Sequence, residues 1–497
     1  MAVLKLSTPG VYVQEIPSIP PSVAEVETAI PAFIGYTEKN DNSSPGDLKM
    51  MPVKISSFAE FELYYGKAPE EADTSIFITV SGNLPDYDVA IEYKAPDPAP
   101  NPHNLTDKSK HNLYYSVKHF YDNQGGTCYI VSVDTYAGAA GAIKEQDLKD
   151  GLKVLEDVDE VTILSIPEAS KIDDPKTTIN ANPAVPPPAY TNLVKALIEH
   201  AANPDRRDRF ALIDPFWVTP ESPNNPNGKI DRDVQIIRDA TLDVTQNRYA
   251  AAYYPNLVTS YYCNYNYDKI KINEGPAGIK DKKINELAGS ALYNKIDATL
   301  RAQYLILPPS PSIAGLYTKI DNTKGVWKAP ANETLSVVVK PQVDISNREQ
   351  QNLNIDPSAG KSINVIRTFP GYGVLVWGAR TLNGNDNEWR YISVRRFFNM
   401  VEESIKKSIQ WAVFEPNTID TWIRVRGMIE NYLSLKWREG ALAGAKPEQA
   451  YYVKVGLPAT MTSLDVLEGR MIVEIGMAVA RPAEFIVLKF IQLMQQS

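Results

Sequence analysis

Apolar positions along the chain fall into short runs separated by polar, proline-rich stretches. Two runs stand near the two ends, Pro9-Gly10-Val11-Tyr12-Val13-Gln14-Glu15-Ile16-Pro17 and Glu484-Phe485-Ile486-Val487-Leu488-Lys489-Phe490-Ile491-Gln492-Leu493. Both are rich in β-branched and aromatic residues and set off by proline, which predicts strands rather than helices. In the first, Val11, Val13 and Glu15 face one way and Tyr12, Gln14 and Ile16 the other. Chain ends fray unless something ties them down, so a strand at each tip needs a sheet to join. We read both as strands for a neighbour's sheet, which makes the protein a building block.

Residues 1–30 read as an extended arm, because Pro9, Pro17, Pro20 and Pro21 forbid a helix of any length. Thr28–Tyr36 then enters a body as a buried strand. Phe58–Gly66 reads as a short helix ended by glycine, and 85–110, rich in Pro, Asp and Asn, as a surface insertion. Leu113, Tyr114, Val117, Phe120 and Tyr121 have helical spacing, and Cys128–Val133 is a buried strand. The pattern repeats: helix 145–156 and strand Val161–Ile166, helix 190–202 and strand Arg209–Asp214, helix 231–243 and strand Tyr249–Tyr254. Such alternation implies βαβ units and a mainly parallel sheet. Ile284–Arg301 reads as a further helix, and Pro308-Pro309-Ser310-Pro311 as a hinge out of this domain.

Residues 312–360 read as loops with one strand, Leu335–Val339. A last domain is expected near Ile363, with strand Val374–Trp377, an extended stretch Trp389–Ser393 and two amphipathic helices. The first aligns Val394, Phe397, Phe398, Val401, Ile405, Ile409 and Ala412; the second aligns Ile419, Trp422, Ile423, Ile429, Tyr432 and Leu433. Strands Tyr451–Val455 and Arg470–Ala480 follow, and Arg481-Pro482 frees the C-terminal arm. Within Arg470–Ala480, Met471, Ile472, Val473, Glu474 and Ile475 are the candidate acceptor for a lent strand. The expected fold class is α/β and α+β. It comprises an N-terminal arm (1–30), a segment with a proline-rich insertion (31–110), an α/β outer domain (111–310), a C-terminal core domain (311–480) and a C-terminal strand arm (481–497).

Composition narrows the function. A formal net charge of -9 over 497 residues argues against a general nucleic-acid binder, which shows a basic face. Two cysteines, Cys128 and Cys263, make no disulfide scaffold and fit a reducing cytoplasm. MAVLKLSTPG lacks the pattern of a signal peptide. The longest apolar run, Phe485–Met494, is broken by Lys489 and falls short of the roughly 20 residues of a spanning helix. The expectation is a protein made in the bacterial cytoplasm without direct membrane insertion.

An enzyme needs a constellation, and none emerges. Ala359-Gly360-Lys361-Ser362 ends like a phosphate-binding loop, but Ile355 stands where its first glycine belongs and an extended run follows. His103, His111, His119 and His200 have no paired-ligand spacing. Cys128 lies inside an apolar strand, as a core thiol would. Asp134 and Asp214 follow parallel strands, where α/β enzymes place active sites, yet lack partners; loop capping is the simpler role. No catalytic, cofactor-binding or metal residue is assigned, and no cofactor is expected. Tryptophan and arginine concentrate in the last domain (Trp377, Arg380, Trp389, Arg390, Arg395, Arg396, Trp411, Trp422, Arg424, Arg426, Trp437, Arg438), fitting either an interface or an ordinary core with a basic face.

Several segments together resemble the contractile tail sheath family of phage tails, R-type tailocins and extracellular contractile injection systems. They are Thr8-Pro-Gly-Val-Tyr-Val-Gln-Glu-Ile16, Thr28-Ala-Ile-Pro-Ala-Phe-Ile-Gly-Tyr-Thr37, Gly325-Val-Trp-Lys-Ala-Pro-Ala-Asn332, Val376-Trp-Gly-Ala-Arg-Thr-Leu382, Trp389-Arg-Tyr-Ile-Ser-Val-Arg-Arg396, Val413-Phe-Glu-Pro-Asn417 and Pro482-Ala-Glu-Phe485. The resemblance implies a structural subunit, not an enzyme. Copies stack as rings or a helix around an inner tube, joined to baseplate and terminal cap proteins, and contract to drive the tube through an envelope. It also implies that Val11, Tyr12, Val13, Gln14, Glu15 and Ile16, and Phe485, Ile486, Val487, Leu488, Lys489, Phe490 and Ile491, pair with neighbouring copies. Free joints are expected at Ser18–Glu27 and Arg481-Pro482, with the C-terminal domain facing inward and 111–310 outward. The alternatives are a soluble α/β enzyme with an unrecognised site and a non-contractile tail or baseplate component.

Overall fold

Strand Pro31–Thr37, buried at all seven positions, lies at the heart of the fold. The computed structural model describes residues 23–71, 76–82, 86–93, 111–138, 142–172, 186–206, 208–216 and 226–488. They form two compact units. One is Glu27–Met400 with the residues from Arg481 onward; the other is Val401–Ala480 with the residues up to Val26.

The larger unit is built on a nine-stranded sheet. Its order is Glu333–Thr334, Gly373–Val376, Ile363–Phe369, Ala250–Tyr254, Phe210–Ile213, Ile163–Ser165, Pro31–Thr37, Cys128–Thr135 and Pro52–Ile55. The six strands from Ile363–Phe369 to Cys128–Thr135 run parallel, with Phe33 opposite Ile130 and Ala32 opposite Leu164. The edge partners Pro52–Ile55 and Gly373–Val376 are antiparallel. Central parallel strands are covered on both faces, which is why they read as continuous apolar runs. Successive side chains part to opposite layers: Phe33 belongs to the core that holds Leu113, Val117, Phe120 and Tyr317, and Ile34 to the core that holds Leu148, Leu193 and Ile237. Helices Leu113–Asp122 and Ser310–Lys324 supply the first layer. Helices Glu145–Lys153, Pro188–Ala201 and Pro226–Ala240 supply the second.

Several expectations are corrected. Pro308-Pro309-Ser310-Pro311 is not a hinge: it opens helix Ser310–Lys324, with Pro311 in the first turn where proline costs no hydrogen bond. This helix buries Ile313, Leu316, Tyr317 and Ile320 beneath the sheet, and Tyr317 Oη lies 2.8 Å from Tyr253 Oη. The strand expected at Leu335–Val339 is two, Glu333–Thr334 and Val338–Pro341, parted by Val337 at φ +64°. Helix Asn347–Asn354, opened by a Ser346/Glu349 capping box, lies in a stretch read as loop. No domain begins at Ile363, because Ile363–Phe369 continues the main sheet beside Ala250–Tyr254. Trp389–Ser393 is not extended: a turn leads into helix Ile392–Ser408. Part of the 85–110 insertion is ordered as a hairpin, Ile76–Ser81 with Asp88–Tyr93, on a small core of Ile270, Ile272, Ile284, Ile296 and Leu300. Residues 94–110 lie outside the described set.

The smaller unit packs helix Ile419–Arg438 against the antiparallel pair Tyr451–Val455 and Val473–Met477. The helix buries Val425, Met428, Ile429, Tyr432 and Leu433. Ile419 and Ile423, expected on that face, are instead exposed, and Trp422 rests on Gly456 while donating to Asn417 Oδ1 (2.7 Å).

Candidate assembly arms and acceptor edge

Val11, Tyr12, Val13, Gln14, Glu15 and Ile16 of the N-terminal arm lie outside the described residues, but the root of that arm does not. Val23 is buried, and the Ala24 and Val26 amides each donate to a serine hydroxyl, Ser408 Oγ and Ser404 Oγ, at 3.1 Å. Glu25 pairs with the largely buried Lys436 of helix Ile419–Arg438. Residues 23–26 of the joint expected over Ser18–Glu27 are therefore held on the smaller unit.

The C-terminal arm is also fixed at its root. Glu484 accepts from Arg380 Nε at 2.9 Å and Nη2 at 2.5 Å, a two-point pair, and from Tyr391 Oη at 3.3 Å. Arg380 is buried. Its amide donates to Asn364 Oδ1 and its carbonyl accepts from Asn364 Nδ2, both at 2.8 Å, tying it to sheet strand Ile363–Phe369. Immediately beyond, Phe485, Ile486, Val487 and Leu488 are 70–79% exposed and belong to no strand of their own chain. The joint expected at Arg481-Pro482 is thus followed by an anchor. Lys489, Phe490 and Ile491 lie outside the described residues.

The candidate acceptor begins later than expected. Met471 and Ile472 precede the strand, the Ile472 amide facing Met461 Sδ at 3.2 Å, and the strand runs Val473–Met477 with Glu474 and Ile475 inside it. The Ala478 amide donates to the Ala450 carbonyl at 2.8 Å, which sets the phase of the ladder. In this register Tyr452–Gly476 and Lys454–Glu474 are the hydrogen-bonded pairs, and Tyr451–Met477, Val453–Ile475 and Val455–Val473 the others. The backbone N–H and C=O groups of Val473, Ile475 and Met477 therefore point outward, and among the described residues no third strand meets them. An open edge of this kind is a template for another chain's strand. Tyr452 Oη donates to Glu474 Oε1 (2.8 Å) across the solvent face, and the Tyr452 ring covers Gly476.

The groups considered for chemistry serve the structure. Asp134 pairs with Lys49 at 3.0 Å. Asp214 accepts from the Ser310 amide (2.7 Å) and Ser310 Oγ (2.5 Å) at the start of helix Ser310–Lys324, and burial pushes its carboxyl up to about 7. Burial lowers His119 to about 4, with Nε2 3.2 Å from the Ser336 carbonyl, and raises Cys128 to about 12. His111 stacks on Tyr136, and His200 sits against Arg209. Lys361 Nζ is committed to the Arg238 carbonyl (2.7 Å), and the Ala359 and Lys361 amides donate to Asp356 Oδ2, so 359–362 is not a phosphate cradle. Among the described residues no group of three or more His, Cys, Asp or Glu could hold a metal ion, and no helix is long and apolar enough to cross a membrane. The arginines of the last segment divide: Arg380, Arg395 and Arg396 are buried, Arg395 over Trp389 and Arg396 on Asp321 and the Thr28 carbonyl, whereas Arg424, Arg426 and Arg438 are exposed. The anchor at Glu484 had only one sequence signal, since Arg380, Tyr391 and Glu484 each fall in a separate segment of the sheath-like pattern.

Comparison with known proteins agrees. The phage tail sheath C-terminal domain family matches residues 384–492. The tail sheath protein of Enterobacteria phage T4 is 28% identical over 155 residues, 29% of this chain and 23% of that protein. The Vibrio phage KVP40 tail sheath protein is 26% identical, again over 23% of its length, so the chain matches less than a quarter of these curated relatives. Solved structures align almost end to end. The sheath complex of the extracellular contractile injection system PVC, in its contracted state, is 29% identical with a TM-score of 0.62, covering 98% of both chains. The contracted helical sheath of the anti-feeding prophage is 30% identical with a TM-score of 0.60, covering 98% of this chain and 99% of that one. With that identity sustained across a whole sheath chain, this protein belongs to the contractile tail sheath family.

Proposed function

We propose that this chain is the structural subunit of a contractile sheath. Copies polymerise around an inner tube, joined to baseplate and cap proteins, and shorten together to drive the tube through a target envelope. Adjacent copies are held by strand exchange: residues 11–16 and 485–491 add to the open edges of neighbouring hairpins. The observation that carries this reading is the pairing of an unfilled edge at Val473, Ile475 and Met477 with an exposed, strandless arm at Phe485–Leu488. Each joint is weak, since ordering the arm costs about 1–2 kcal/mol per residue and offsets most of what backbone bonds and side-chain burial contribute. Many joints per ring make the mesh strong.

An injection particle fits better than a long-tailed phage. The 29–30% matches to PVC and anti-feeding prophage chains run essentially full length, whereas the phage T4 match covers 23% of its protein. The test is to replace Val13 or Val487 with proline. Rods should vanish from electron micrographs while the monomer keeps its circular dichroism and melting. Normal rods from both variants would refute strand exchange.

A further inference from the structure

We infer that the Arg380–Glu484 pair sets the register in which the C-terminal arm enters a neighbouring copy's sheet; the inference rests on the strand-exchange reading above. Register is normally imposed by alternation of apolar and polar residues, because a slip of one residue turns every side chain to the other face. This arm has little alternation. Phe485 and Val487 share one face and Ile486 and Leu488 the other, all four apolar and all exposed in the single chain. A slip by one residue exchanges one apolar set for another, so the arm's own pattern discriminates poorly.

The anchor supplies what the pattern lacks. Glu484 directly precedes the apolar run, and its carboxylate is gripped at two points by a buried guanidinium. That guanidinium also donates through Nη1 to the Gly384 carbonyl at 3.2 Å, and its backbone is bracketed by the Asn364 amide. The grip is planar and bidentate, so it fixes direction as well as position. One residue of strand advances about 3.3 Å, more than such a pair tolerates without breaking. Arg380 and Glu484 are thus positioning residues for assembly, and the partner they index is the edge of Val473–Met477 in a second copy.

Cysteine cross-linking in sheaths assembled from the full-length chain tests this. Cys128 and Cys263 are both buried, so they stay silent. A cysteine at Val487 is combined in turn with one at Val473, Glu474, Ile475, Gly476 or Met477. With Glu484 intact, one partner should take most of the cross-link; with Glu484→Ala, yield should spread to partners on either side; with Glu484→Gln, which keeps acceptor and donor atoms in reach, it should narrow again. The same single partner in Glu484→Ala overturns the register role while leaving exchange standing. No cross-link from any pair with Glu484 intact overturns the exchange reading, and the register role with it. If Glu484→Ala does not assemble, Glu484→Asp decides: the shortened side chain must move or broaden the cross-link, and an unchanged pattern overturns the proposal.

Discussion

Proline at residue 475 gives the sharpest test of the open edge. In the observed ladder Ile475 is a non-hydrogen-bonded partner of Val453, so its N–H points away from the hairpin. Ile475→Pro removes no bond inside the subunit, and proline is tolerated on an edge strand with its nitrogen outward. An incoming strand loses its donor there. An acceptor left without a partner on burial costs about 1–3 kcal/mol, which weakens each joint roughly 5- to 150-fold at 1.4 kcal/mol per tenfold. Because every copy carries the lesion, the polymer should disappear at concentrations where the natural chain forms rods. Two controls isolate the cause. Ile475→Ala loses side-chain packing but keeps the N–H, and should still assemble. Glu474→Pro removes the inward bond opposite Lys454 and should lower the melting temperature of the monomer as well. Sedimentation and negative-stain microscopy read the polymer; thermal circular dichroism reads the monomer. Rods from Ile475→Pro at the natural concentration would refute the assigned edge, as would a melting loss equal to that of Glu474→Pro.

Three further outcomes follow from the larger unit. Glu168 is fully buried and accepts from the amides of Tyr36 (2.9 Å), Asn112 (3.1 Å) and Leu113 (3.4 Å); Glu168→Ala orphans all three, and loss of the two shorter bonds alone should cost about 2–6 kcal/mol in urea unfolding at 1–3 per donor. Asp214 keeps its proton to about 7 in the folded chain because burial disfavours its charge, whereas the unfolded chain releases it near 4. Stability should therefore fall as pH rises from about 4 to 7, by at most about 1.4 kcal/mol per unit, and level off above; Asp214→Asn should remove that slope from a pH series of unfolding curves. At Gly315 an added Cβ would stand 2.6 Å from the Phe120 carbonyl oxygen and 3.0 Å from that of Asn123, backbone atoms that cannot swing aside. Gly315→Ala should force helices Ser310–Lys324 and Leu113–Asp122 apart, costing about 1–3 kcal/mol and visible as a lower melting temperature.

The parallel strands were legible because burial on both faces leaves unbroken apolar runs such as Phe210–Ile213 and Ala250–Tyr254. Helix Ser310–Lys324 was hidden by its own start, where Pro308, Pro309 and Pro311 read as a linker although the first two precede the helix and its first turn accepts the third. Helix Asn347–Asn354 buries only Leu353, so it shows almost no apolar period, and only its capping box could have revealed it. The strand-like runs near the two ends stand out in the sequence, but not where the chain beside them is anchored. The serines that hold Ala24 and Val26 lie 384 and 378 residues away, and Arg380 lies 104 residues from Glu484. No local pattern encodes such meetings. Exposure of Ile419 and Ile423 was missed because helical spacing cannot tell a core face from an apolar surface.

The order of strands in the main sheet bears on how the protein is made. Pro31–Thr37 waits for both flanking partners, Cys128–Thr135 and Ile163–Ser165, and the parallel set closes only when Ile363–Phe369 arrives. Pairings this distant in sequence form slowly. Phe485–Leu488 comes later still from the ribosome, behind every strand of both units. A nascent chain thus has the strands of its central sheet to hand before Phe485–Leu488 is made, which, under the proposed strand exchange, keeps half-synthesised copies from joining through that stretch.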